Sequence, residues 1–361
     1  ITGYTILFVA YIFSMILSNT SQAATQALIP DLVPQEKRGI ASGVKILFAV
    51  PLPLIMVGLV VTPMVSKGKI SGGILATCAT MLICMAAAMF IREKPLEEKP
   101  EPLNWKPFFS LVLMTAVFTV IILGLGEVVK LTIPSMGDAS KFSFGAIGVV
   151  AMILAVVGGV FAALNVHMDK SIRKNKSFVW LVISRLAAFV AINNLASFLF
   201  YFFQEKFNMP VKEAVSLAGL LPMVLGGFIV LFGLIAGWLC DRFSRKLLTT
   251  IAGVAGAIGV AIMVLGPSVA SMYIAAAVFG LAYALFDVAT WALSTDIIPQ
   301  QRAGEFLSLQ NLAGAGAGAI GAYIGGVIAD HSGYVLMVSM FGVMFLLAAI
   351  ASLFITLPKH E

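Results

Sequence analysis

Eleven apolar runs, each near or above the roughly 20 residues a helix needs to cross a bilayer, take up most of this chain. They fall near residues 3–32, 40–65, 72–91, 108–131, 143–166, 178–203, 211–239, 247–266, 271–296, 304–328 and 334–357. Hydrocarbon offers no water to a free sheet edge, so these spans are expected to be helices, and the fold class is an all-α polytopic membrane protein. With 60% hydrophobic and 11% charged residues, the chain lacks the polar surface of a soluble globule. Three cysteines, Cys78 and Cys84 in one apolar run and Cys240 in a basic loop, make no disulfide framework.

One joint between spans occurs twice. Ala24 to Gly39 reads ATQALIPDLVPQEKRG and Ala289 to Gly304 reads ATWALSTDIIPQQRAG, at a fixed offset of 265 residues. In each copy an apolar helix ends at an Asp (Asp31, Asp296), a Pro stops it (Pro34, Pro299), and a Gly (Gly39, Gly304) opens the next run. The loop lysines and arginines divide 15 to 6 between the two faces, with Lys45 and Arg185 left inside spans. The richer face is expected to be cytoplasmic, together with the carboxyl terminus, by the positive-inside bias. The cations are scattered over short loops, a pattern of membrane topology rather than of nucleic-acid binding. Trp105, Trp180, Trp238 and Trp291 all fall at or near the cytoplasmic face, as headgroup anchors would.

Both joints lie on one face with eight spans between them, so the repeats are parallel, related by an axis along the membrane normal. Residues 178–361 hold a complete six-helix bundle, and its fourth helix carries the second joint. If the first joint also follows a fourth helix, three helices precede Ile1, which itself lies inside an apolar run, and the total is about fourteen spans. Residues 1–91 are then the second half of an amino-terminal bundle, 92–107 a cytoplasmic linker, 108–166 two extra transmembrane helices, and 167–177 a cytoplasmic loop.

Ionised groups inside a bilayer are costly, and a chain keeps them for a use. Arg185 lies about 12 Å along its helix from Ser177, and Asp287 about 13 Å from Asp296, so the two sit at similar depth. They are expected to form an ion pair or a shared substrate and ion site. The 265-residue shift places Gln22 on Asp287, Gln26 on Trp291 and Lys45 on Gln310, so polar positions of the two repeats face each other. Asn19, Gln22 and Gln26 make one helical stripe, read as lining a polar cavity. Asn193 lies about 80° around the helix from Arg185 and Asn194 about 180°, which makes Asn193 the better ligand. Gly233 with Gly237, Gly314 with Gly318, and Gly321 with Gly325 have the spacing of close helix packing. Glu127 and Lys130 read as interfacial. No zinc-protease, phosphate-loop or nucleophile-elbow motif occurs, and no catalytic residue, metal or cofactor is expected.

The loop GWLCDRFSRK, Gly237 to Lys246, resembles the signature G-x-L-x-D-R-x-x-R-[RK] of the major facilitator superfamily, matched at Gly237, Leu239, Asp241, Arg242, Arg245 and Lys246. It stands between the second and third helices of the six-helix bundle, where that family carries it. The D-x-x-P-x-x-x-x-G joints resemble those of the glycoside and sucrose cation symporters. The Gly-x-x-x-Gly-Pro motif of many drug exporters is absent from residues 40–65.

The resemblance implies two parallel-repeat bundles whose first and fourth helices line a central cavity. It also implies secondary active transport of a small solute, coupled to a proton or sodium gradient, with sugar-like symport favoured, by a monomer in the plasma (inner) membrane. Arg185, Asp287, Asn193, Gln22, Gln26, Lys45, Trp291 and Gln310 would then line the solute and ion site. Gly237, Asp241, Arg242, Arg245 and Lys246 would form a gate latch at the cytoplasmic face, with Asp31 pairing with Arg38 and Asp296 with Arg302 across their joints. Drug or metabolite efflux, and a non-transporting sensor or scaffold, are the competing readings.

Overall fold

The computed structural model describes residues 2–32, 48, 51–90, 105–136, 141–167, 175–297 and 303–356. Within them the chain is helical and has no strand, and eight of its helices are long and apolar enough to cross a membrane. This is a multi-pass integral membrane protein. In chain order, α1 is Thr2–Leu32. The second span, α2, starts as Pro51–Met56, passes through a π-helical turn at Val57–Val61 and finishes as Thr62–Ser66. Then follow α3 (Ile70–Ala88), α4 (Trp105–Ser135) and α5 (Lys141–His167). The last six are α6 (Lys176–Phe207), α7 (Val211–Arg242), α8 (Arg245–Leu265), α9 (Val269–Ile297), α10 (Ala303–Ser332) and α11 (Tyr334–Leu353). The two copies of the repeated joint begin on α1 and α9, so both lie at the carboxyl-terminal part of a long helix.

Local chemistry sets the helix ends. The Asn175 side chain accepts from the Phe178 amide at 3.1 Å and so caps α6. The same helix stops at Asn208, whose left-handed φ of 49° Asn tolerates better than most residues. Pro210 follows and stands at the start of α7, where its missing N–H leaves no bond unmade. Between α10 and α11 the chain turns on Gly333 at φ 94°, a conformation that strains any residue with a Cβ.

The six carboxyl-terminal helices pack as one bundle. Lipid tails are as apolar as leucine, so burial alone does not hold such helices together; close contact and hydrogen bonds do. A Cβ on Gly253 would lie 2.9 Å from the backbone nitrogen of Ala349, and one on Gly256 would lie 2.5 Å from the Phe345 ring, so α8 and α11 meet backbone to backbone. Hydroxyls add ties to α11: Ser184 of α6 donates to the Ala348 carbonyl at 2.8 Å, and Thr250 of α8 shares a 2.7 Å bond with Ser352. At one end Ser177 of α6 meets the backbone of Thr356, beyond α11, at 2.7 Å.

At the other end, adjacent residues of α6 hold two further helix termini. Glu205 accepts from the Tyr334 amide at 2.5 Å and the Val335 amide at 3.5 Å, which places a carboxylate on the positive end of α11. Lys206 donates to the carbonyl of Val264 near the negative end of α8. Glu205→Ala is expected to cost about 1 kcal/mol through the lost cap, read as a lower thermal-unfolding midpoint in detergent; an unchanged midpoint would mean that the cap is dispensable.

Two further helices, α4 and α5, pack against each other and against α10 and α11. The Phe118 ring fills notches at Gly159 and Gly316, and Leu336 and Met340 lie over Gly145 and Gly148. From the amino-terminal side, α2 touches α7, with Met223 over Gly58 and Thr62 at Gly219. In α1, residues 4–18 are exposed along their whole length.

Candidate functional site

Two charged groups inside the spans, Arg185 and Asp287, meet. Arg185, on the first helix of the bundle, points its Nη2 at Asp287 Oδ1 on the fourth helix, 3.2 Å away, with side chains 8% and 14% exposed. Its Nη1 donates to Thr290 Oγ1 at 2.5 Å. Two aromatic faces close on the guanidinium: its Cζ is 5.0 Å from the Phe189 ring centre and 4.9 Å from that of Trp291. Helical spacing explains the arrangement, because Asp287, Thr290, Trp291 and Ser294 are three, four and seven residues apart and share one face of α9. Phe189 lies one turn beyond Arg185 on α6.

The polar track continues along α9. Ser294 lies 2.9 Å from Gln310 Oε1 on α10 and 2.7 Å from the Thr290 carbonyl. Gln310 is 1% exposed, yet its Nε2 has no partner among the described residues. Asp287 Oδ2 likewise accepts nothing from them. The buried guanidinium is thus bound through a single carboxylate oxygen, and the other oxygen of that carboxylate remains as an acceptor.

Asn193 is exposed and donates to the Gly314 carbonyl at 3.3 Å, while Asn194 is buried and donates to Val190 and Ala317 carbonyls at 2.9 and 3.3 Å. The two asparagines therefore tie α6 to α10. Trp291, expected from its place near the face to anchor in headgroups, is instead half-buried against Arg185. Trp180 and Trp238 do find local partners near the expected cytoplasmic face: Trp180 stacks on Phe354 at 4.7 Å, and Trp238 lies under Arg242 at 4.5 Å.

In the signature loop Asp296 pairs with Arg245 at 2.6 Å, and Arg245 also donates to the Ala292 carbonyl at 3.2 Å; the expected pairing of Asp296 with Arg302 lies outside the described residues. The reason is reach: Arg245 opens α8, directly beside the last turn of α9. Asp241 is exposed and makes no ion pair among the described residues, and Lys246 is half-buried. A Cβ on Gly237 would meet nothing within 4 Å, and the same holds for Gly233, Gly314 and Gly318. Of the three glycine pairs, only at Gly321 and Gly325 would a Cβ meet a neighbour among the described residues, at Asn194 and Met337. Gln22, Gln26 and Asp31 lie on α1, with side chains outside the described residues, as are Lys45, Arg38 and Arg302 altogether. The site residues that sequence reasoning missed are Thr290, Ser294 and Phe189; the first two follow from Asp287 by helical spacing, and Phe189 carries no sequence signal.

The chain was compared with known proteins. The Major Facilitator Superfamily model matches residues 1–322 and, in a second match, 181–361. No curated protein matches. Two solved structures of POT family transporters are similar in fold, one in complex with a thioalcohol-conjugated peptide and one with 5-aminolevulinic acid. Their TM-scores are 0.54 and 0.53 at 15% identity, each over 83% of this chain. The match spans 65% of each solved chain's length. A family model that covers the chain from end to end, on a helical bundle of this kind, identifies it: the protein belongs to the Major Facilitator Superfamily.

Proposed function

We propose that the protein is a secondary transporter that moves a small carboxylate-bearing or zwitterionic solute by alternating access, driven by an ion gradient. The observation that carries this reading is the Arg185–Asp287 pair, nine-tenths buried between the first and fourth helices of the bundle. An ion pair in hydrocarbon is a demanding way to hold two helices, since desolvation offsets much of its attraction. It is an economical way to bind a solute: a carboxylate takes the place of Asp287 on Arg185, and a cationic end takes the place of Arg185 on Asp287. Protonation of Asp287 would free the guanidinium for the solute, which links proton movement to solute movement. The aromatic faces of Phe189 and Trp291 would sandwich the flat guanidinium and exclude water from it. The two POT family structures, solved with a peptide and with an amino acid, are consistent with a solute of this kind.

Sugar symport is the second reading, and the idle amide of Gln310 beside Ser294 favours it, since neutral hydrogen-bonding groups suit hydroxyls. The charged pair favours the first. Flux in proteoliposomes with an imposed pH gradient, across a panel of 5-aminolevulinic acid, short peptides and neutral sugars, separates them. Gradient-driven uptake of the charged solutes, lost with a protonophore, is the expected result. Uptake of sugars alone would replace the substrate class, and a folded, reconstituted protein that moves nothing in the panel would favour the sensor or scaffold.

A further inference from the structure

We infer that the groove between α4 and α10 is a binding site for one phospholipid whose headgroup carries a primary ammonium, of the ethanolamine type. The inference stands apart from the transport reading and uses none of its residues.

The exposed face of α4 is apolar along its length: Val120 is 68% exposed, Leu123 47%, Val128 59% and Leu131 73%. These positions recur at helical spacing on one side of a 24-residue membrane span, so that side faces lipid. Glu127 and Lys130 sit on the same side, 3.5 Å apart, with side chains 49% and 58% exposed. A bare carboxylate and ammonium on a lipid face are unfavourable, and chains keep such groups where something polar meets them.

Their bonding shows what is missing. Glu127 Oε1 takes both protein bonds, one from the Tyr323 hydroxyl at 2.5 Å and one from Lys130 Nζ at 3.5 Å. Glu127 Oε2 accepts nothing from the described residues, and Lys130 has that single long bond for its three N–H groups. An acceptor for a cation thus stands beside a donor for an anion, the complement of a headgroup in which an ammonium follows a phosphate by two carbons. The Oε2 atom would take the ammonium and Lys130 the phosphate.

Below the pair lies the place for a tail. A groove of about 300 Å³ is lined by Thr119, Ile122 and Leu123 of α4 and by Ala319, Ala322 and Tyr323 of α10. The small Ala319 and Ala322 leave the space, and the Tyr323 ring, seated against Gly126, forms its wall: a Cβ on Gly126 would come within 2.2 Å of that ring. The groove residues fall at the middle of the span Val112–Ser135, and the charged pair falls one to two turns nearer Ser135. Headgroup contacts toward the membrane surface and tail contacts toward its middle are in the order a lipid presents them. A choline headgroup has no N–H for Glu127, and a glycerol headgroup brings no cation to it.

The test is native mass spectrometry of the full chain with chain-matched phosphatidylethanolamine, phosphatidylcholine and phosphatidylglycerol. Wild type is expected to retain the ethanolamine lipid about tenfold over the other two, a difference of about 1.4 kcal/mol. Glu127→Gln should remove the headgroup preference, and Leu123→Trp, which fills the groove and leaves the charges in place, should lower retention of all three. Equal retention of the three lipids by wild type overturns the site, whether or not the variants fold. Ethanolamine-lipid retention that Leu123→Trp leaves undiminished overturns it as well, as does concentration-dependent dimer formation that Leu123→Trp abolishes, which would make the occupant a second copy of the chain.

Discussion

Asp287→Asn is expected to abolish gradient-driven accumulation while the protein still folds, and Arg185→Gln to abolish flux altogether. The two differ because of what each leaves behind. Asn at 287 keeps a hydrogen-bond acceptor for Arg185 but can neither carry a proton nor balance the guanidinium's charge, so solute exchange can persist while uphill movement stops. Gln at 185 removes the cation that would hold the solute's carboxylate; either single change breaks a buried pair on one side, at about 3–5 kcal/mol, whereas removing both charges is often neutral. Arg185→Met combined with Asp287→Leu should therefore unfold at a temperature near that of the wild type and transport nothing. Thermal unfolding in detergent and counterflow in proteoliposomes read the two quantities separately. Full accumulation in Asp287→Asn would remove the pair from coupling, and a double variant less stable than either single one would show that the pair is there for stability.

The second large effect lies away from the site. Gly253→Val should prevent stable folding, because the new Cβ and its methyls would press on the Ala349 nitrogen and the Phe345 carbonyl, both backbone atoms that cannot swing aside. Overpacking in a close-packed interior costs about 1–3 kcal/mol where side chains give way, and a backbone contact stands at or above that range. Gly233→Val, with nothing within 4 Å of its Cβ, is the control and should be silent. Size-exclusion profiles and unfolding midpoints of the two variants decide the matter; equal behaviour would mean that α8 and α11 are less tightly apposed.

The helical membrane fold and the two central charges were legible because lipid makes each conspicuous: about 20 apolar residues cannot be hidden, and neither can a lone Arg185 or Asp287 among them; eight of the eleven expected spans are long and apolar enough among the described residues. What was not legible has a common cause. Partnership depends on where a neighbouring helix stands, and sequence spacing does not report it. Asp296 bonds Arg245, which comes from another helix 51 positions back. Six glycines had the spacing of a packing motif, but at only two of them would a Cβ meet a neighbour among the described residues. Trp291 lies near the end of its span, where a belt residue belongs, and points inward because α9 turns that face toward α6. The hydroxyls of Thr290 and Ser294 were silent because most hydroxyls in membrane helices satisfy their own backbone, as Thr119 does toward Thr115 at 2.8 Å.

The last turn of α6 grips α11 through Glu205 and α8 through Lys206, and the far end of α6 is fastened beyond α11 through Ser177. Three of the six helices are thus riveted into a chassis at both membrane surfaces. α9 and α10 are moored to this frame through Arg185–Asp287, Arg245–Asp296 and the two asparagines, so in the transport cycle proposed above they can shift against it only as those bonds part. Arg185, carried by the frame, is then the post to which the polar strip of α9 is tied and from which a solute would release it.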